Sequence, residues 1–285
     1  MTANILDGIV LGLQFGLLAG GLTLVYGLGG VLNLAFGQMA VISAMTVVLS
    51  MEAGLPTWPA VALGLVAGGV LGLIFDQTIL RPVYRLQGEA RVLLSLLLTL
   101  GVALMVDGFL SWRYPTKALA LRIGGGPVEV LGVTMVRGGV VASAITLVVL
   151  GGLFLFFKKT TLGRAVRSVI EDEQGARLVG IDPQRMLRLI LVLTGVMAAL
   201  VAVTRSLIVP VSVTAGFELT VWALIVTVVG GLASVSGAVL AGIILGIVST
   251  VAASTIGTFL SLVILLVAAA VTILIKPSGL LGVRE

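Results

Sequence analysis

Five polar side chains, Gln14, Asn33, Gln38, Thr99 and Asp107, interrupt sequence that is otherwise apolar. Amides and hydroxyls in such surroundings can hydrogen-bond a polar solute or freed backbone groups. Asn33 and Gln38 flank Leu34-Ala35-Phe36-Gly37, directly after Gly27, Gly29 and Gly30. Amides at a broken helix are the makings of a polar pathway lining, and an ordinary turn at the membrane surface accounts for them equally well. Asp107 lies five residues from Trp112, roughly 7–8 Å from the span end, and reads as an interfacial carboxylate. Snorkelling accounts for Asp76 and Arg205, which also lie near span ends. No two of these ions pair at i, i+3 or i, i+4, so a proton relay or ion-coupling site has little support. Cys and His are absent. That excludes disulfides, Cys/His metal sites and Cys or His catalysis, and with them the zinc and serine–histidine intramembrane protease designs. No cluster of catalytic residues remains in the spans, and an enzyme is not expected.

The one sizeable polar region is 158–188, with seven basic residues: Lys158, Lys159, Arg164, Arg167, Arg177, Arg185 and Arg188. Ser168 with Glu171 is a capping-box pattern, and Glu171, Asp172 and Glu173 suit a first turn. Arg177 follows Glu173 by four, Gly180 suits a left-handed cap, and Asp182-Pro183 restarts a helix. The reading is a surface helix of about 12 residues, with an extension back through Gly163-Arg164-Ala165-Val166-Arg167, too short and charged to cross a membrane. It is either a solvated connector or a docking element that transmits motion from a cytoplasmic partner. The chain has no G-x-x-x-x-G-K-[ST] match, so an ATP-driven motor would have to be another polypeptide.

The elements that must hold these groups are membrane spans. Only 10% of the 285 residues are charged and 59% are hydrophobic, too few polar groups to wet the surface of a soluble globule. The apolar runs are Ile5–Tyr26, Phe36–Met51, Trp58–Ile79, Arg91–Trp112, Gly138–Phe157, Met186–Val209, Leu219–Ser254 and Ile256–Ile275. Leu219–Ser254 is too long for one span. With Gly230-Gly231-Leu232-Ala233-Ser234-Val235-Ser236-Gly237 near its middle, it is either two short spans or a broken helix with a re-entrant turn. The fold class is thus an all-α polytopic bundle of eight or nine spans, a single domain over 1–285 with 158–188 as its cytoplasmic loop. The N-terminal segment has no basic stretch or small-residue cleavage site and reads as a retained first span.

The positive-inside rule places 158–188 in the cytoplasm, and Arg81, Arg85 and Arg91 agree. Lys276 and Arg284 join them if Leu219–Ser254 crosses twice, giving nine crossings and an outside N-terminus. Arg113, Lys117, Arg122 and Arg137, on the outer side, run against the rule. The basic pI of about 10.1 belongs to membrane loops and gives no nucleic-acid signal. The 38 glycines are about double ordinary usage. Gly12, Gly16 and Gly20, then Gly64, Gly68 and Gly72, and near the C-terminus Ala238, Gly242 and Gly246 each recur every fourth residue. Such stripes let helices touch, either inside the subunit or at a subunit interface or moving pair.

The segment Gly163-Arg164-Ala165-Val166-Arg167, Asp172, Ala176-Arg177-Leu178 and Gly180-Ile181-Asp182 resembles the coupling loop of the branched-chain amino acid ABC importer permeases, the first of their two homologous permease types. Residues 21–37, Gly-Leu-Thr-Leu-Val-Tyr-Gly-Leu-Gly-Gly-Val-Leu-Asn-Leu-Ala-Phe-Gly, are similar to their first-span signature. Phe36 stands where that family commonly has a His. Arg81-Pro82, Leu98-Thr99-Leu100-Gly101, the Gly230–Gly246 stretch and Lys276-Pro277-Ser278-Gly279-Leu280-Leu281-Gly282 follow in order. The resemblance implies a multi-pass subunit of the bacterial inner membrane, paired as a heterodimer with a second, homologous permease. Two cytoplasmic P-loop ATPases, which would bind the ATP and Mg, and an extracytoplasmic substrate-binding protein would complete the importer; this chain itself needs no cofactor. Arg164, Arg167, Asp172, Ala176 and Gly180 would belong to the ATPase-coupling helix, and Asn33, Gln38 and Thr99 to the translocation pathway. The cargo would be a branched-chain amino acid or related small solute; the family also carries urea, short amides and aromatic carboxylates. An ion-coupled secondary transporter is the alternative.

Overall fold

The computed structural model describes residues 2–121, 123–124, 126–130, 132–276 and 279–281. Arg122, Pro277, Ser278, Gly282 and Arg284, named above, lie outside them. The chain runs α1 (Thr2–Gly29), α2 (Phe36–Glu52), α3 (Thr57–Ile74), α4 (Gly88–Arg113), β1 (Ala118–Leu119), β2 (Val128–Val130), β3 (Val133–Met135) and α5 (Arg137–Lys159). It continues with α6 (Thr161–Glu171), α7 (Glu173–Leu178), α8 (Pro183–Ser206), β4 (Val211–Ser212), α9 (Ala215–Gly230), α10 (Val235–Ile256) and α11 (Thr258–Ile275). Among the described residues six helices are long and apolar enough to cross a membrane, and α2, α9 and the greater part of α11 are shorter apolar helices. The architecture is an all-α polytopic bundle.

Helix α1 is the axis of the bundle, with every residue from Gly12 to Val25 buried. In lipid no hydrophobic drive brings helices together, so close packing of small residues must do it. Helix α10 runs antiparallel along α1: Asn4 Nδ2 donates to Ser254 Oγ (2.8 Å) at one end, and Gly27 lies beside Ala233 at the other. A Cβ on Gly12 would come within 2.6 Å of Ile243 Cα, and Gly242 and Gly246 of α10 face the backbones of Gly16 and Gly12. Gly20 faces Met197 of α8. On α3, Gly64 faces Val47 and Ser43 of α2, while Gly68 and Gly72 lie against the carbonyls of Gly195 and Leu191 in α8. All three stripes are spent on contacts within this chain.

The long apolar run divides into separate helices. α9 ends at Gly230, Gly231 turns the chain at φ +109°, and Ser234 Oγ caps α10 by accepting from Gly237 N (3.1 Å). A second sharp turn at Gly257 (φ +92°) folds α11 back. The end that carries α6 and α7 also holds the starts of α4 and α8: Gly29 packs beside Leu187 and Tyr84. Leu280 N and Leu281 N donate to the Val229 and Gly230 carbonyls there (2.9 and 3.2 Å), so the described tail shares the end that carries α6 and α7. At the opposite end β1 pairs with β4, Ala118 against Ser212, and β2 with β3.

Candidate functional site: a broken helix and a capped loop

α1 ends at Gly29, and residues 30–35 run back into the bundle before α2 begins. The ring of Phe36 lies 2.8 Å from where a Gly21 Cβ would be. Gly21 is eight residues from the end of α1, so the start of α2 packs on the order of 12 Å back along α1 from its end. Irregular backbone at that depth persists only if protein satisfies its polar groups. Ser95 Oγ accepts from Leu32 N (3.2 Å), and Thr99 Oγ1 accepts from Leu34 N (3.0 Å). Asn33 Oδ1 accepts from Ala35 N (2.9 Å), and Arg91 Nη1 donates to the Gly29 carbonyl (3.3 Å).

Asn33 and Thr99, both fully buried, thus meet at the break, with Gln38 on the first turn beyond it. Helix α9 closes the other side. Thr220 Oγ1 accepts from Gly37 N (2.9 Å) and donates to the Gly216 carbonyl (3.1 Å). Gly37 presses directly on that carbonyl, and a Cβ on Gly216 would meet the Gln38 amide at 2.9 Å. Gln38 is 2% exposed, and among the described residues its Oε1 has no hydrogen-bond partner. The first turns of two short helices therefore face each other in the bundle interior, with an unsatisfied amide oxygen between them. Sequence reading found Asn33, Gln38 and Thr99 but missed Ser95, although it lies one turn before Thr99 on the same face. Thr220 and Gly216, inside an apolar run, carried no signal. Gln14 is used elsewhere, tying α1 to α5 and α8 through Thr146 (3.2 Å) and Thr204 (2.9 Å).

Two ions assigned to snorkelling are paired instead. Asp76 faces Arg188 (3.5 Å) and Arg205 faces Glu218 (3.1 Å); both pairs cross between helices, beyond the reach of spacing rules within one span. Asp107 is half-buried, and its Oδ1 has no partner.

The 158–188 loop folds as two short helices in place of the expected one. Thr160 caps α6, its Oγ1 accepting from Gly163 N (2.9 Å). Ser168, read as a cap, lies inside α6 and donates to the Ala165 carbonyl (2.9 Å). The helix breaks at Asp172, whose Oδ1 accepts from Gln174 N and Gly175 N (both 3.0 Å). An aspartate at a break competes with helix continuation by capping the next turn. Glu173 pairs with Arg177 (2.6 Å), Gly180 has φ +86°, and Asp182 caps α8 (3.0 Å to Gln184 N). Gly163, Val166 and Val169 bury one face of α6, Gly163 against the backbone of Phe156 and Phe157. Arg164, Arg167 and Asp172 point to solvent, Ala176 is buried and Gly180 exposed.

A bundle of membrane-length helices, broken at depth and carrying a capped loop beyond the membrane, is the framework of a multi-pass permease. The chain belongs to the family of branched-chain amino acid transport system permease components, whose model matches residues 4–275. It is 28% identical over 291 residues to the high-affinity branched-chain amino acid transport system permease protein LivH of Escherichia coli K12, covering 98% of this chain and 94% of that one. It is 28% identical to BraD, the permease protein of the same description from Pseudomonas aeruginosa, covering 99% and 96%. A more distant relative is the fructose import permease protein FruF of Bifidobacterium longum, 22% identical over 78% of this chain and 60% of that one. The chain is accordingly a membrane translocation component and not an enzyme.

Proposed function

We propose that the chain is the membrane-spanning subunit of an ATP-driven importer of the ABC type in the bacterial inner membrane. It passes a branched-chain amino acid, or a related small polar solute, from an extracytoplasmic binding protein to the cytoplasm. One observation carries the reading: the loop is capped at each helix start, packed at its base, and ends in Leu178 and Val179, 89% and 75% exposed. Adjacent large apolar side chains in water, with Arg164 and Arg167 on the same loop, mark a protein contact. The partner would be one of two ATPases that bind ATP and Mg, because this sequence has no phosphate-binding loop of its own. A second, homologous permease would complete a heterodimer.

The translocation path would open where α2 and α9 meet. Helix N-termini carry positive partial charge, which suits a substrate carboxylate. The unpaired Gln38 oxygen is an acceptor for an ammonium, and Asn33 and Thr99 hold the break that shapes the passage. The names of the two 28% relatives favour a branched-chain cargo, and the more distant relative is named for fructose import.

Arg164→Glu with Arg167→Glu in the assembled complex should abolish ATP-dependent leucine uptake into proteoliposomes while membrane insertion stays normal. Undiminished uptake in the double variant would remove the coupling assignment.

A further inference from the structure

At the cytoplasmic end, where α3 meets α8, a cavity of about 420 Å³ is lined by Asp76, Gln77, Arg81, Tyr84, Arg85 and Arg188, among others. It lies apart from α6 and α7 and takes Arg188 from the end of the 158–188 segment. Three of its residues are cationic and one is anionic, and Asp76 is taken by Arg188. Among the described residues neither Arg81 nor Arg85 has an ion-pair partner. The Tyr84 hydroxyl is buried with no hydrogen-bond partner. Burial first, and then the Asp76 carboxylate, push its pKa far above the ordinary phenol range. It stays protonated and can donate. Two guanidinium groups without ion-pair partners line one space beside a buried O–H donor, an arrangement suited to the oxygens of a phosphate group.

The surface leading to the cavity says where that phosphate comes from. On α3, Leu63, Val66, Val70 and Ile74 form a stripe of exposed aliphatic side chains. With spacings of three and four it continues through exposed Gln77 to exposed Arg81 at the cavity. Acyl chains can lie along such a stripe while the headgroup enters the basic cavity. The backbone supports the same reading: α3 does not stop at Ile74 but widens into a π-helical turn over Phe75–Leu80. That irregularity, of a kind often found at functional positions, turns Asp76 toward Arg188 and sets Arg81 at the rim.

We infer that this cavity binds the phosphate headgroup of an anionic phospholipid of the cytoplasmic leaflet, whose chains follow the α3 stripe. The bound headgroup bridges α3 to the start of α8, next to the coupling loop.

The test uses the full chain in dodecyl maltoside, titrated with phosphatidylglycerol and read by intact-mass spectrometry. Wild type should bind one lipid saturably. Arg81→Gln with Arg85→Gln should weaken that binding roughly 10- to 30-fold, the size expected for two charges at a membrane surface. Arg113→Gln, at the far end of α4, should leave it unchanged. Zwitterionic phosphatidylcholine should bind at least roughly tenfold more weakly than phosphatidylglycerol. Millimolar inorganic phosphate should not displace the lipid, because it cannot use the stripe. If the double variant does not fold, Tyr84→Phe keeps the ring and should weaken binding roughly three- to tenfold. Wild-type affinity in the properly folded variants overturns the site, and ready displacement by phosphate overturns the lipid as its occupant. Neither result bears on transport or on the ATPase contact.

Discussion

The hydroxyl of Thr99 holds together three pieces of backbone. It accepts from Leu34 N and donates among the carbonyls of Ser95 (2.7 Å), Leu32 (3.4 Å) and Leu96 (3.5 Å). Replacing it with valine keeps the shape and strands the Leu34 amide in a dry interior. Such a loss costs about 1–3 kcal/mol. Thr99→Val should therefore lower the thermal unfolding midpoint of the purified chain, and Thr99→Ser, which restores the hydroxyl, should recover most of the loss. Equal midpoints for Thr99→Val and wild type would show that α4 does not hold the break. That Thr99 stood out was legible because a polar residue in an apolar helix needs a reason. Its partners were not, since they lie 65 and 67 residues away and only the fold brings them near. The same holds for Phe36. Its identity stood out in the sequence, yet only the packing shows its ring against Gly21, where any larger residue would collide with it.

Among the elements, the glycine stripes show how far periodicity can be read. Spacing by four announced close helix contacts, and it could not name the partner. The structure pairs α1 with α10 and α3 with α8, because two small-residue surfaces approach each other more closely than a small one and a large one. The consequence can be measured by comparing two glycines. A side chain at Gly12 meets the backbone of α10 at once, whereas nothing lies within 4 Å of a Cβ at Gly151 in α5. Gly12→Leu should sharply reduce the yield of monodisperse protein, and Gly151→Leu should leave yield and unfolding midpoint near wild type. Equal losses from both would mean that helix propensity, not packing, sets the response. In the loop, local rules located the ends well, at Gly180 and at Asp182 before α8. They misplaced the interior, because Ser168 and Asp172 both have capping chemistry and the sequence does not rank them. The burial of Gly163, Val166 and Val169 decides it by holding residues 161–171 in one helix, so the break falls at Asp172.

For the whole molecule, charge sets the orientation, and the four outer cations that ran against the positive-inside rule meet local partners where they are described. Lys117 pairs with Glu52, Arg113 lies over the Tyr114 ring (4.9 Å), and Arg137 donates to the Gly124 carbonyl (2.9 Å). Among the described residues the opposite end keeps Arg81, Arg85, Arg164 and Arg167 free of ion pairs. The rule reads the charge available at the membrane surface, and by that asymmetry α6 and α7 would lie in the cytoplasm. If each of the nine apolar helices crosses, the first residues would be outside and the tail inside. A chain without cysteine allows a direct check, since each introduced thiol is the only one. Thr2→Cys, Leu55→Cys and Thr255→Cys should react with a membrane-impermeant maleimide on intact spheroplasts. Leu178→Cys, Ser236→Cys and Lys276→Cys should react only after permeabilisation. Ser236 is decisive, because it sits in the first turn of α10, directly after the turn from α9. Labelling there from outside would mean that α9 does not cross. The facing N-termini of α2 and α9 would then lie off any path through the membrane, and the proposed route past Gln38 would fall with them.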